Sequence, residues 1–155
     1  AIQPNFSAHD NLKIKCLAYG IGDEKYIEDK LKLVGLGDVG NKKAGKFSLG
    51  MRLRLGIALA LVGEPDFLIL DEHTAALDPK TADIIMELTD KVVREKNLTA
   101  MMVTHNLRYA AEYGDRLIML DKGHIVIDRR KKKKKDTAVG DILKIFNEIS
   151  IECGN

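Results

Sequence analysis

Two adjacent carboxylates, Asp71 and Glu72, close the apolar run Phe67-Leu68-Ile69-Leu70. A short continuous run of this kind is the mark of a strand buried on both faces. In open α/β sheets, ligands bind at the carboxyl ends of such strands. Successive strand residues point to opposite sides, so the two acids are expected to divide their work. One carboxylate suits a hydrated Mg2+ and the other an attacking water; as a bare pair they are equally two solvated acids at a strand end. Ser48 and Gly50 stand where a helix would begin. A hydroxyl and free backbone N–H groups at a helix N-terminus suit an anion, and a side chain at position 50 would crowd its approach. The plainer role for Ser48 is capping. His105 follows the apolar stretch Ala100 to Val103, and by itself is an ordinary histidine at a strand end. Asp78 before Pro79 is a helix cap by type and position.

These residues need elements to hold them. The spacing predicts a helix from Ala8 to Gly20, with Leu12, Cys16 and either Leu17 or Tyr19 near one face. A second helix runs from Glu24 to Val34, with Ile27, Leu31 and Val34 on its apolar stripe. Gly37 to Lys46 is a loop, and a third helix, rich in Leu and Ala, extends from about Leu49 to Val62. The strand Phe67 to Leu70 precedes a helix from Pro79 to Arg94 with Ile84, Ile85, Leu88 and Val92 on one side. A second buried strand is expected at Ala100 to Val103, then a short helix at Leu107 to Tyr113. Strands at Arg116 to Leu120 and Ile125 to Ile127 join at the turn Asp121-Lys122-Gly123. Ile142, Ile145, Phe146 and Ile149 mark an amphipathic closing helix. Strands alternating with helices argue for an α/β layer with a mostly parallel sheet.

Taken in order, Phe47-Ser48-Leu49-Gly50-Met51, Phe67 to Glu72, Ala75-Ala76-Leu77-Asp78 and Val103-Thr104-His105 resemble the motifs of the ATP-binding subunit of ABC transporters. The likeness runs from about Pro4 to Asp128. It implies a layered fold of the P-loop NTPase kind with a helical signature subdomain. Phe47 to Met51 would be the signature motif, usually written LSGGQ. Asp71 would be the Walker B aspartate on Mg2+, Glu72 the catalytic glutamate, Ala75 to Asp78 the D-loop and His105 the switch histidine. Three positions depart from the pattern: His73 where proline is usual, Leu49 and Met51 within the signature, and Leu53 where glutamine is common. His73 could be a pH-sensitive neighbour of Glu72 or simply face solvent.

Such an ATPase needs GxxxxGK[ST], whose backbone cradles phosphates while its hydroxyl holds Mg2+. Gly40-Asn41-Lys42-Lys43-Ala44-Gly45-Lys46 comes near but ends in Phe47, which has no hydroxyl, and a helix precedes it instead of a strand. It reads as a decoy. By the resemblance, the chain starts just after the segment carrying the Walker A loop and its strand, which would lie between Ala100–Val103 and Arg116–Leu120. The expectation is one partial ATPase domain over residues 1–155: a helical and signature segment at 1–62, a catalytic sheet segment at 63–128, and a basic connector with a closing helix at 129–155. Alone it should bind ATP weakly or not at all. In the intact enzyme two such domains would close head to tail over two ATPs. Glu72 would orient water, His105 would steady the γ-phosphate, and Ser48 and Gly50 would cap ATP held by the opposite subunit. Asp78 would communicate across the dimer, and closure would move a transmembrane permease subunit from the cytoplasmic face of the membrane.

Composition removes other classes. The 155 residues include 25 Lys+Arg against 23 Asp+Glu, are 45% hydrophobic and hold two cysteines. That is a globular composition with no disulfide framework. The longest apolar run, Leu55 to Val62, is too short to span a bilayer, and Ala1 to His9 lacks the pattern of a signal peptide. Arg129 to Lys135 form a run of seven cations. Without those seven of the 25 cations, 18 face 23 acids, so basic character is local. The run reads as a solvated connector. Nucleic acid is disfavoured as a partner because no aromatics interleave to stack on bases. Two rivals remain at this level: an accessory chain lending its signature helix to a complete ATPase, and an RNA-binding module built on the basic run.

Overall fold

The computed structural model describes residues 1–130, 140 and 144. The closing helix expected around Ile142 to Ile149, the cations Lys131 to Lys135 and Cys153 lie outside the described residues. The chain divides into two compact units, Ala1–Met102 and Val103–Asn155.

The first unit is built on helices α1 (Ala8–Ala18), α2 (Glu24–Leu33), α3 (Leu49–Ala60) and α4 (Pro79–Glu95). Each starts on a side chain that satisfies a free backbone N–H: Ser7, Asp23, Ser48 and Asp78. At α1 the cap is reciprocal, with the Asp10 N–H donating to Ser7 and the Asp10 carboxylate accepting from the Ser7 backbone. The stripes meet in one core that includes Leu12, Cys16, Ile27, Leu31, Leu55 and Ile85. Leu17 and Tyr19, offered as alternatives for the inner face of α1, are both exposed, as is Ile84 on α4. The inner positions of α4 are instead Ile85, Met86, Thr89 and Val92, with the Thr89 hydroxyl donating to the Ile85 carbonyl at 2.8 Å. Asn11 is buried and ties the N-terminal segment down, its amide donating to the carbonyls of Ser7 (2.8 Å) and Gln3 (3.0 Å).

Strand β1 (Phe67–Asp71) and strand β2 (Thr99–Val103) form a parallel pair joined through α4. The ladder begins where the Thr99 N–H donates to the Asp66 carbonyl. Burial on both faces, expected from the apolar runs, is not what the strands show. Leu68 and Leu70 are buried, whereas Phe67 is 49% and Ile69 61% exposed, and no residue of β2 is fully buried. Alternation along the strand sends every second side chain to the opposite face, and among the described residues only one face of β1 is covered.

The second unit contains α5 (Leu107–Glu112) and the antiparallel hairpin β3 (Arg116–Asp121) with β4 (His124–Arg130). Lys122 and Gly123 both have positive φ. That is the backbone of the two-residue turn that matches strand twist, and it explains the glycine. Arg116 donates two hydrogen bonds to Asp128 across the hairpin, at 2.9 and 2.8 Å. Arg129 and Arg130, the first two cations of the basic run, extend β4. Leu117 and Ile127 form the small core.

Candidate functional site

Asp71 is the last residue of β1, at its carboxyl end, and its side chain is exposed. Glu72 does not continue the strand. Its φ is +44°, a left-handed backbone that few non-glycine residues adopt and that clusters at functional sites. The two acids therefore diverge because the chain turns between them; strand alternation, invoked from the sequence, stops at Asp71. The Glu72 carbonyl accepts from the Ala75 N–H at 3.0 Å, which starts the tight turn toward Asp78. Both carboxylates face solvent. Among the described residues no cluster of three or more His, Cys, Asp and Glu could hold a metal. A single carboxylate is nevertheless the usual protein share for Mg2+ bound to nucleotide phosphates and water, and Asp71 fits that share.

His73 follows in the turn and is not the solvent-facing residue offered as one alternative. Its Nε2 is buried without a hydrogen-bond partner among the described residues. Burial pushes its pKa below the ordinary 6.5, so the ring is held neutral. The unfolded state then binds the proton more readily, so stability falls as pH drops below 6.5 toward the lower folded value. Urea midpoints at about pH 7.5 and about pH 5.5 should show this loss, and His73→Asn should flatten it. An identical slope in the variant would assign the loss elsewhere.

The first turns of α3 and α4 meet where Gly50 faces Thr81. Ser48 is exposed, and its hydroxyl accepts from the Met51 N–H at 3.3 Å. Arg52 holds the preceding carbonyl, that of Phe47, at 2.7 Å. Gly50 is buried, and a Cβ built there would stand 2.8 Å from Cγ2 of Thr81. Its glycine thus has a packing cause, the close approach of α3 and α4, in addition to the anion access argued from sequence. Thr81 in turn donates its N–H to Asp78 at 3.0 Å. Hydrogen bonds from Thr81 hold the Asp78 carboxyl below the usual 3.8. Thr81 was missed in the sequence, although its place three residues after an Asp-Pro cap is a legible signal. Gly50→Ala should cost about 1–3 kcal/mol by overpacking. Thr81→Ser, which removes the opposing methyl, should return most of that loss in thermal melts. An equal cost in both backgrounds would rule out this contact.

His105 belongs to the second unit, between Thr104, whose hydroxyl accepts from the Asn106 N–H, and Asn106, which caps α5. It is exposed. The glycine–lysine stretch before the signature is committed elsewhere. The N–H groups of Ala44 and Gly45 donate to the carbonyls of Phe6 and Pro4, both at 2.9 Å. Lys46 and Phe47 donate to Lys43 and Ala44. These donors are engaged with backbone carbonyls and are not free to cradle phosphate.

Comparison with known proteins agrees with this layout. A family model described as ABC transporter matches residues 1–75. The tyrosine transport ATP-binding protein of Clostridioides difficile (strain R20291) is 46% identical over 136 residues, covering 88% of this chain and 53% of that protein. The methionine import ATP-binding protein MetN 2 of Bacillus cereus (strain ZK / E33L) is 42% identical over 100 residues, covering 64% of this chain and 30% of the relative. A solved dimeric ATP-binding cassette in a post-hydrolysis state with ADP and Pi superposes with a TM-score of 0.68 at 29% identity, covering 83% of this chain and 58% of that one. The chain spans about half the length of the tyrosine transport relative. With Ser48 and Gly50 opening α3, Asp71 closing β1 ahead of Glu72 and Asp78 capping α4 along an α/β framework, and with these matches, the chain belongs to the ATP-binding family of ABC transporters.

Proposed function

We propose that this chain supplies the signature and hydrolytic edge of an ATPase that drives transport. The observation that carries the reading is the acidic pair at the carboxyl end of β1, with Glu72 turned off the strand by a left-handed backbone. Asp71 would hold the Mg2+ that accompanies ATP, and that ion would neutralise developing charge on the phosphates. Glu72 orients the attacking water and takes its proton. His105 donates to the γ-phosphate. Ser48 and Gly50, at the start of α3, present a hydroxyl and helix N–H groups to ATP held by the opposite subunit. Asp78 carries the state of one site to the other across the dimer. The relatives' names, each an ATP-binding protein of transport or import, support ATP as substrate, and the dimeric cassette supports closure of two copies.

We assign the residues to one partial ATPase domain, with a helical and signature segment over residues 1–62 and a sheet segment over 63–128 that β4 carries on through Arg130; the rest of the segment expected over 129–155 lies outside the described residues apart from 140 and 144. Its partner is a transmembrane permease subunit at the cytoplasmic face. Among the described residues no helix is long and apolar enough to cross a membrane itself. Ile14 and Leu17, three positions apart on α1, are exposed apolar side chains of the kind that a partner covers. A chimaera in which residues 47–105 replace the matching segment of the C. difficile relative tests the reading. It should retain Mg-dependent ATP hydrolysis; a folded, ATP-binding chimaera without turnover would overturn it.

A further inference from the structure

The carboxyl end of β1 holds the catalytic acids, but the opposite end of the same sheet holds a second cluster of charges. A cleft of about 250 Å3 opens there, lined by Lys30, Glu64, Asp66 and Lys96 with the apolar walls Leu61 and Leu98. Lys30 is a lysine on α2 that is only 5% exposed. Long cationic side chains normally carry their heads to water, and a buried ammonium normally has an acceptor. Among the described residues Lys30 has neither a hydrogen-bond acceptor nor an ion-pair partner. Its ammonium lies over the Tyr26 ring, 4.7 Å from the centroid.

Tyr26 is fixed by its hydroxyl, which accepts from the Gly63 N–H at 3.3 Å and lies 3.5 Å from the Leu61 carbonyl as a donor. The platform under Lys30 is therefore tied to the loop that carries Glu64. That loop bends through left-handed residues, Gly63 and Glu64, and Asn97 on the facing side has the same hand. Glu64 is exposed and makes no ion pair with Lys30 or Lys96 among the described residues. Opposite charges thus share one cleft without closing on each other.

We propose that this cleft binds a small zwitterion of the α-amino acid class. The ligand's carboxylate meets the ammonium of Lys30, its amino group meets Glu64 and Asp66, and its apolar side chain lies against Leu61 and Leu98. Burial holds the Lys30 ammonium below its ordinary pKa, and the charge of Glu64 offsets this only in part; a ligand carboxylate restores the counter-charge that burial demands. Five strand residues separate the cleft from Glu72, roughly 15 Å, so occupancy does not compete with ATP.

Calorimetric titration of the chain with L-leucine, isovalerate and isoamylamine tests the proposal. These probes share one branched apolar group and carry both charges, the carboxylate alone or the amine alone. Leucine should bind saturably, with each half-molecule weaker by about tenfold or more. Lys30→Met should weaken leucine by about tenfold or more, with folding checked by circular dichroism. Glu64→Gln, at an exposed loop position, gives a second variant that leaves the core intact and should weaken leucine while sparing isovalerate. Absence of saturable binding, isovalerate binding as tightly as leucine, or unchanged leucine affinity in a folded variant would each overturn it.

Discussion

Replacing Glu72 by Gln in the ATPase chimaera should lower turnover by about a hundred- to ten-thousand-fold, the range associated with loss of a positioned general base. Glutamine keeps the shape and one acceptor oxygen but cannot take a proton at neutral pH. The backbone at position 72 is left-handed, and both side chains bear the same steric relation to it, so the turn toward Asp78 should survive. ATP affinity should therefore stay near that of the parent, and ATP-bound dimers should accumulate because the step that releases them is blocked. Steady-state phosphate release gives the rate and light scattering gives the mass. Undiminished turnover would remove Glu72 from the role of base. Parallel loss of rate and ATP binding would point to collapse of the turn instead.

The second large effect concerns the platform under Ser48 and Gly50. Leu55 lies on α3, seven positions after Ser48, with no exposed surface, and belongs to the main core. Leu55→Ala should destabilise the first unit by about 2–5 kcal/mol, the transfer loss plus the cavity left behind. For a unit of this size that corresponds to a fall of about 10 °C or more in melting temperature. Packing between α3 and α4 is what brings Gly50 to Thr81, whose N–H donates to Asp78. The same variant should therefore loosen the signature end of α3, seen as faster amide exchange at Met51 and Arg52. A cost below about 1 kcal/mol would mean that neighbouring side chains refill the space.

Local chemistry was the legible part of this fold. Ser48 and Asp78 start their helices as a short polar residue before an apolar repeat predicts. The stripe Ile27, Leu31 and Val34 is buried as its spacing requires. Asp71 ends its strand where the apolar run stops. What stayed hidden depends on contacts distant in sequence or on backbone torsion. Nothing around Glu72 announces a positive φ. The methyl that excludes a side chain at position 50 comes from Thr81, a residue on another helix. Lys30 sits among charged neighbours on an amphipathic helix and reads as solvated, yet it is buried, at a cleft that it lines together with residues 61, 64–66 and 96–98. The strands are less buried than their apolar runs suggest, because composition records that Phe67 and Ile69 are apolar without recording what covers them.

The central claim is that the acidic pair at the end of β1 faces the terminal phosphate of ATP. A crystal structure of the Glu72→Gln chimaera with Mg-ATP tests it most directly. The account predicts a water roughly 3 Å from the residue 72 side chain and in line with the γ-phosphate, with Asp71 turned to the hydrated metal. A γ-phosphate beyond the reach of one bridging water, or a metal held without Asp71, would contradict it.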